Sequence, residues 1–215
     1  MLVAIDSSAG TSVAVVHDGA VLAVADESDP RSHAEVIGVL LSAVLRDAHV
    51  RPDDLDAVAV GMGPGPFTGL RVGIAAARAL AFGAGIPVLP VASHDAVAAD
   101  AGRPCVVVTD ARRRESAWSA YAAPDGPFPV RVAGPLLSRT DELDADLERE
   151  LRATPGAPGG SAGLERIATA RIPADALGLL AERVRSAGCE PGPAEPLYLR
   201  APDVTLSQGP KRVTA

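Results

Sequence analysis

The stretch "GMGPGPFTGLRVG", residues 61–73, sets five glycines and two prolines between a short apolar run and an alanine-rich segment. A turn that leaves a strand and enters a helix can present backbone N–H groups to a phosphate. A Walker loop would need Gly, four residues, then Gly-Lys-Ser/Thr. Counted from Gly63, the sixth position is Thr68, and no lysine follows. The dinucleotide fingerprint Gly-x-Gly-x-x-Gly fails as well, because its last position falls on Pro66 or Thr68. A second segment, "DSSAGT" at 6–11, puts Asp6, Ser8 and Thr11 at the end of a strand-like run. Hairpins of this kind hold Mg-nucleotide phosphates. Together with Gly63, Gly65, Thr68 and Gly69, these residues would form a degenerate phosphate or nucleotide site, the chemistry of a small ATPase or kinase. With both fingerprints unmatched, a stiff structural turn is the better reading of 61–69.

Other chemistries have less to stand on. "GGSAG" at 159–163 spells a nucleophile elbow, but it sits in a Pro/Gly-rich stretch with no strand before it. The four histidines, His17, His33, His49 and His94, form no His-x-x-x-His and flank no cysteine pair. No metal site and no catalytic residue is expected. The only lysine is Lys211 and there is no asparagine, which disfavours Schiff-base and Cys-His-Asn chemistry. Cys105 and Cys189 are far apart, and Cys105 opens an apolar run as a core residue would. "DARRRE" at 110–115 is a basic turn, solvated or facing phosphate. The net charge of −7 argues against a broad nucleic-acid footprint.

Elements that must position these groups follow from periodicity. Runs at 2–6, 11–17 and 20–26 read as an antiparallel meander. Helix 32–48 follows, opened by a Ser32/Glu35 capping box. Strand 56–61, helix 68–83, strand 86–91 and helix 93–102 come next, with Ser93 as a candidate N-cap. A strand hairpin at 105–122 begins near Pro104 as the chain began at Met1. Helices at 141–151 and 174–188 follow, with 152–163 a loop. The order predicts an α/β architecture. Its parts are an N-terminal subdomain (1–103), a smaller subdomain (104–188, its last helix able to pack back on the first) and a tail (189–215). The apolar share is 47%, enough for a core, and no signal peptide or membrane span is read, so a cytoplasmic protein is expected.

Two helices are too apolar for a single buried stripe. In 68–83 only Arg71 and Arg78 are charged, and Leu70, Ile74 and Phe82 share the helix with five alanines, Ala75 among them. Helix 32–48 carries Val36, Leu40 and Val44 on one row and Ile37 and Leu41 on the next. With His33 at the helix start, these positions are expected to form a partner interface, or to pair two copies of the chain.

Five stretches, the opening strand with "DSS", "PRSHAE" (30–35), 61–83, "TDARRRESAWSAY" (109–121) and "EPLYLR" (195–200), resemble the bacterial tRNA threonylcarbamoyladenosine biosynthesis protein TsaB (YeaZ) family. The resemblance implies an actin/Hsp70/sugar-kinase-like (ASKHA) fold of two duplicated subdomains with mixed sheets. It also implies a non-catalytic scaffold with no cofactor of its own. A catalytic TsaD-like subunit transfers threonylcarbamoyl to adenosine 37 of tRNAs reading ANN codons. A TsaE-like ATPase joins, ATP and Mg are used by these partners, and tRNA is met through the complex. The two N-terminal helices are the pairing elements. This chain departs from the family's usual Ser at Pro66 and from its frequent Gly at Arg114.

Overall fold

In the computed structural model, residues 1–27, 29, 33–126, 128–189 and 192–200 are described. The meander is β1 (Leu2–Asp6), β2 (Thr11–His17) and β3 (Ala20–Glu27). Then come α1 (His33–Asp47), β4 (Ala57–Gly61), α2 (Phe67–Ala84), β5 (Val88–Val91) and α3 (Ser93–Ala101). The second half repeats the plan in shortened form: β6 (Cys105–Asp110), β7 (Glu115–Asp125), β8 (Phe128–Arg139), α4 (Leu143–Ala153), β9 (Glu165–Thr169) and α5 (Ala174–Ser186). The sheets are ordered β3-β2-β1-β4-β5 and β8-β7-β6-β9. β1 pairs antiparallel with β2 and parallel with β4, and β6 does the same with β7 and β9. The expected duplicated α/β fold with two mixed sheets is present.

Strand alternation sorts the layers. Val3, Ile5, Val13, Val15, Val58 and Val60 face α1 and α2. On the opposite face Ala4, Ala14, Ala57 and Ala59 leave room for α5, where Leu177 and Leu180 pack. Gly178 is needed there, since a Cβ on it would lie 2.9 Å from a Val16 methyl. Helix α5 thus crosses back onto β1 and β2, while α3 of the first half lies on β6, β7 and β8. The outer face of the second sheet is covered by Leu143, Leu147 and Leu151 of α4.

Strands β8 and β9 fall where the sequence reading placed no strand. Both are edges. An edge tolerates Pro129 and Pro135 because one side of its ladder needs no partner, and β9 follows a Pro/Gly-rich loop that hides it. The capping box at Ser32 lies outside the described residues. Helix α2 is long and apolar enough to match a membrane crossing by length and composition, but its Leu70, Ile74, Ala77 and Ala81 pack on the first sheet.

What sets α2 against that sheet is a run of glycines four residues apart. A Cβ on Gly61 would overlap the Asp6 carboxylate, and one on Gly73 the Ser7 hydroxyl. At Gly65 it would stand 2.5 Å from the Ser8 carbonyl oxygen, and at Gly69 2.6 Å from that of Ser7. The Ser7 hydroxyl donates to the Gly69 carbonyl at 2.7 Å and accepts the Gly73 N–H at 2.9 Å. Gly69→Ala should therefore destabilise the chain by about 2 kcal/mol, the overlap outweighing the better helix propensity of alanine. Gly83 in the same helix has nothing within 4 Å of its missing Cβ, so Gly83→Ala should stabilise by about 0.5–1 kcal/mol. Urea denaturation of the pair checks this, and equal stabilities would refute the close packing.

Candidate functional site

Asp6 ends β1 and is 1% exposed. Its Oδ1 accepts the Ser8 N–H at 2.7 Å and the Ser8 hydroxyl at 2.6 Å. Its Oδ2 accepts the Ser93 hydroxyl at 2.6 Å. Ser93 Oγ in turn accepts the Gly63 N–H at 3.0 Å, and the Ser93 N–H donates to the Gly63 carbonyl at 2.8 Å. Burial pushes the Asp6 pKa up to about 6 against the pull of these hydrogen bonds. Thr11, fully buried, shares a 2.7 Å hydrogen bond with Nδ1 of His33. Burial, then the nearby Arg112 charge, hold the His33 pKa down.

The hairpin and the 61–69 loop therefore do meet, as a phosphate site would require, but the space between them is filled. Both Asp6 oxygens are bonded to serines, and Gly61 and Gly65 press on Asp6 and Ser8. Of the residues read as a degenerate site, only Thr68, at the start of α2, is exposed. Ser93 is no N-cap. Ala92 holds that position, and the Ser93 hydroxyl goes to Asp6. The next two residues bind the other half. His94 bonds to Ser119 and Thr109, each at 3.0 Å, and burial pushes its pKa down to about 3. Asp95 accepts a bidentate pair from Arg131 and the Tyr121 hydroxyl. Among the described residues, no group of three or more His, Cys, Asp or Glu is placed to hold a metal ion.

The positions read as a partner interface fall into three groups. His33, Val44, Leu70 and Ile74 are buried in this chain's own core, so they present no surface. Val36, Ile37, Leu40 and Leu41 are half-buried along α1. Arg71, Ala75, Arg78 and Phe82 form one exposed stripe on α2, with Phe82 91% exposed. Two further exposed residues were missed in the sequence: Ala79 on α2, and Val39, 68% exposed on the neighbouring α1. Val39 sits one position from the Leu40 row, and a wheel centred there would have found it.

Residues 192–200 run back over the first half as a strap. Gly192 N–H donates to the Pro90 carbonyl and Leu197 N–H to that of Met62. The Tyr198 ring lies 4.4 Å from that of Phe67, over which the Arg71 guanidinium sits at 3.6 Å. Arg200 pairs with Glu115 and donates to the Arg112 carbonyl at 3.1 Å, reaching the β6–β7 turn. Arg112, Arg113 and Arg114 in that turn all have left-handed backbone, φ 62°, 55° and 60°.

Two mixed sheets of repeated topology, exchanging α3 and α5 across their shared core, define an actin-like (ASKHA) α/β protein. A family model for tRNA N6-adenosine threonylcarbamoyltransferase, TsaD, matches residues 24–125. An uncharacterised Mycobacterium tuberculosis protein is 43% identical over 87% of this chain and 84% of its own. The Escherichia coli tRNA threonylcarbamoyladenosine biosynthesis protein TsaB is 36% identical over 56% of this chain and 54% of its own. The structure of YeaZ from Pseudomonas aeruginosa superposes with a TM-score of 0.71 and 26% identity, covering 92% of this chain and 99% of the other. The chain belongs to the TsaB/YeaZ family.

The buried Asp6 makes stability depend on pH. Its folded-state pKa is raised from 3.8 to about 6. The folded state thus holds the proton more tightly, and the stabilising contribution is complete below pH 4 and lost as pH rises through 6. Relative to Asp6→Asn, the native chain should lose about 2 kcal/mol between pH 4 and pH 7. Urea titrations of both proteins across this range measure it, and a difference that does not change with pH would contradict the assignment.

Proposed function

We propose that this chain is a non-catalytic subunit of the machinery that forms threonylcarbamoyladenosine at position 37 of tRNAs reading ANN codons. In this reading it docks a TsaD-like catalytic subunit through the outer faces of α1 and α2, and a TsaE-like ATPase joins the pair. The observation that carries the proposal is the exposure of Val39 and Phe82, 68% and 91%, on two helices that contact each other, in a chain whose phosphate hairpin is filled by its own serines. A large apolar side chain left in water on such a face is what a protein interface covers. The ATPase or kinase reading lacks support at the same place, since Asp6 has neither exposure nor an unused oxygen with which to hold a metal-bound phosphate. Two copies of the chain would hide the same face in the absence of the partner.

Val39→Glu/Phe82→Glu should leave the folded chain within about 0.5 kcal/mol of native stability, because both side chains lie outside the core. The same change should weaken association with the TsaD-like subunit by about 30-fold or more, the loss expected for central apolar contacts. Co-purification and isothermal titration with that subunit check it. Undiminished binding by the double variant would remove this face from the interface. Unchanged tRNA threonylcarbamoyladenosine after loss of the chain, read by nucleoside mass spectrometry, would refute the function.

A further inference from the structure

A cleft of about 380 Å³ opens where β5, the C-terminal end of α5, the start of β8 and the start of the strap converge. Its walls are largely apolar, with Leu89 and Val91 from β5, Leu180 and Val184 from α5, and Phe128 and Pro129 from β8. Several polar groups around it already have partners. The Pro90 carbonyl accepts the Gly192 N–H at 2.9 Å, and the Val91 carbonyl accepts the Met62 N–H at 2.8 Å. Where α5 ends, the carbonyls of Val184 and Arg185 accept the N–H groups of Cys189 and Gly188. Asp95 is balanced by the bidentate Arg131 and also accepts the Tyr121 hydroxyl. The Arg185 side chain is different. It is exposed, lines the cleft, and makes no hydrogen bond or ion pair among the described residues. Asp56 feels its charge from beyond ion-pair distance and is itself held by the chain's amino terminus.

We propose that this cleft binds a small carboxylate with an apolar tail, the tail between Leu89, Phe128, Leu180 and Val184 and the carboxylate on the Arg185 guanidinium. An apolar cavity of this size encloses a ligand of roughly ten carbon atoms. A planar guanidinium takes a carboxylate through two parallel N–H···O bonds. One cation matches one negative charge, whereas a phosphate would bring a second charge toward Asp95. The site is independent of the α1/α2 face and of the function proposed above. Its walls come from both halves of the chain, so a bound ligand would tie β5 of the first sheet to β8 of the second.

Isothermal titration of the full chain with hexanoate, octanoate and decanoate tests this. Affinity should rise about three- to fourfold for each added methylene while the tail still has cleft to fill. Arg185→Gln should weaken octanoate binding about five- to tenfold and leave octanol binding unchanged. The arginine lies outside the core, so its replacement should not alter the melting temperature. Cys189 lines the cleft and is exposed, while Cys105 is buried, so iodoacetamide should alkylate Cys189 alone. Octanoate at saturation should slow that alkylation at least fivefold, read by intact mass, which places the ligand in this cleft and not on the Val39 and Phe82 face. Absence of binding by all three acids at millimolar concentration would overturn the proposal. So would equal octanoate affinity for native and Arg185→Gln proteins, or binding that leaves the alkylation rate of Cys189 unchanged.

Discussion

The contact on which the rest of the structure depends is the one between the β1–β2 turn and the glycine face of α2. Gly61, Gly65, Gly69 and Gly73 remove every side chain that would hold the helix away, and Ser7 bonds directly to the helix backbone. The close approach shuts Asp6 in, and Ser8 and Ser93 must then satisfy the carboxylate. Leaving such a group buried without partners would cost several kcal/mol, so the three hydrogen bonds are a condition of the fold rather than an ornament to it. Ser93 opens α3, so the same carboxylate also fixes where that helix begins.

From that point the polar contacts run across the joint between the halves. Ser93 belongs to the first half's network, while His94 and Asp95 beside it reach Ser119, Thr109, Tyr121 and Arg131 of the second sheet. A neutral imidazole suits the His94 position, because it can donate from one nitrogen and accept at the other. The strap adds a second tie at the opposite side of α2, from Met62 and Phe67 to the β6–β7 turn. Two halves held by exchanged helices, a buried polar row and a strap share one core, which is why the boundary near Pro104 is a change of sheet more than a change of packing unit.

Much of this was legible in the letters. Strand and helix periods placed the meander, both long helices and the hairpin after Pro104, because central elements show clean apolar patterns. Edge strands do not: β8 carries prolines and β9 exposes Glu165 and Arg166, so neither had a pattern to read. The glycines of 61–73 were visible, but a phosphate loop and a packing surface use the same residue for the same reason, close approach of backbone. Only the partner, here Ser7 and Ser8 in place of a ligand, tells them apart. Ser93 shows the same ambiguity, since a serine at a helix start reads as a cap until a buried carboxylate claims its hydroxyl. The frequent family glycine at the position of Arg114 has a physical reason, as that residue is left-handed here. The Pro66 departure likewise leaves the α2 N-cap without a side-chain hydrogen bond that serine would make.

The filled hairpin and the open helix face are two consequences of one register. Residues of an α-helix two apart point about 200° from each other. Fixing Gly69 and Gly73 against Ser7 therefore turns Arg71 and Ala75 outward, and the stripe continues through Arg78, Ala79 and Phe82. A side chain larger than hydrogen at the inner positions would push α2 off the turn, reopening space around Asp6 and disturbing the outer stripe together. The position of the outer stripe therefore depends on the inner glycines. The glycines that invite a phosphate-loop reading serve here to seat α2 on the chain's own serines.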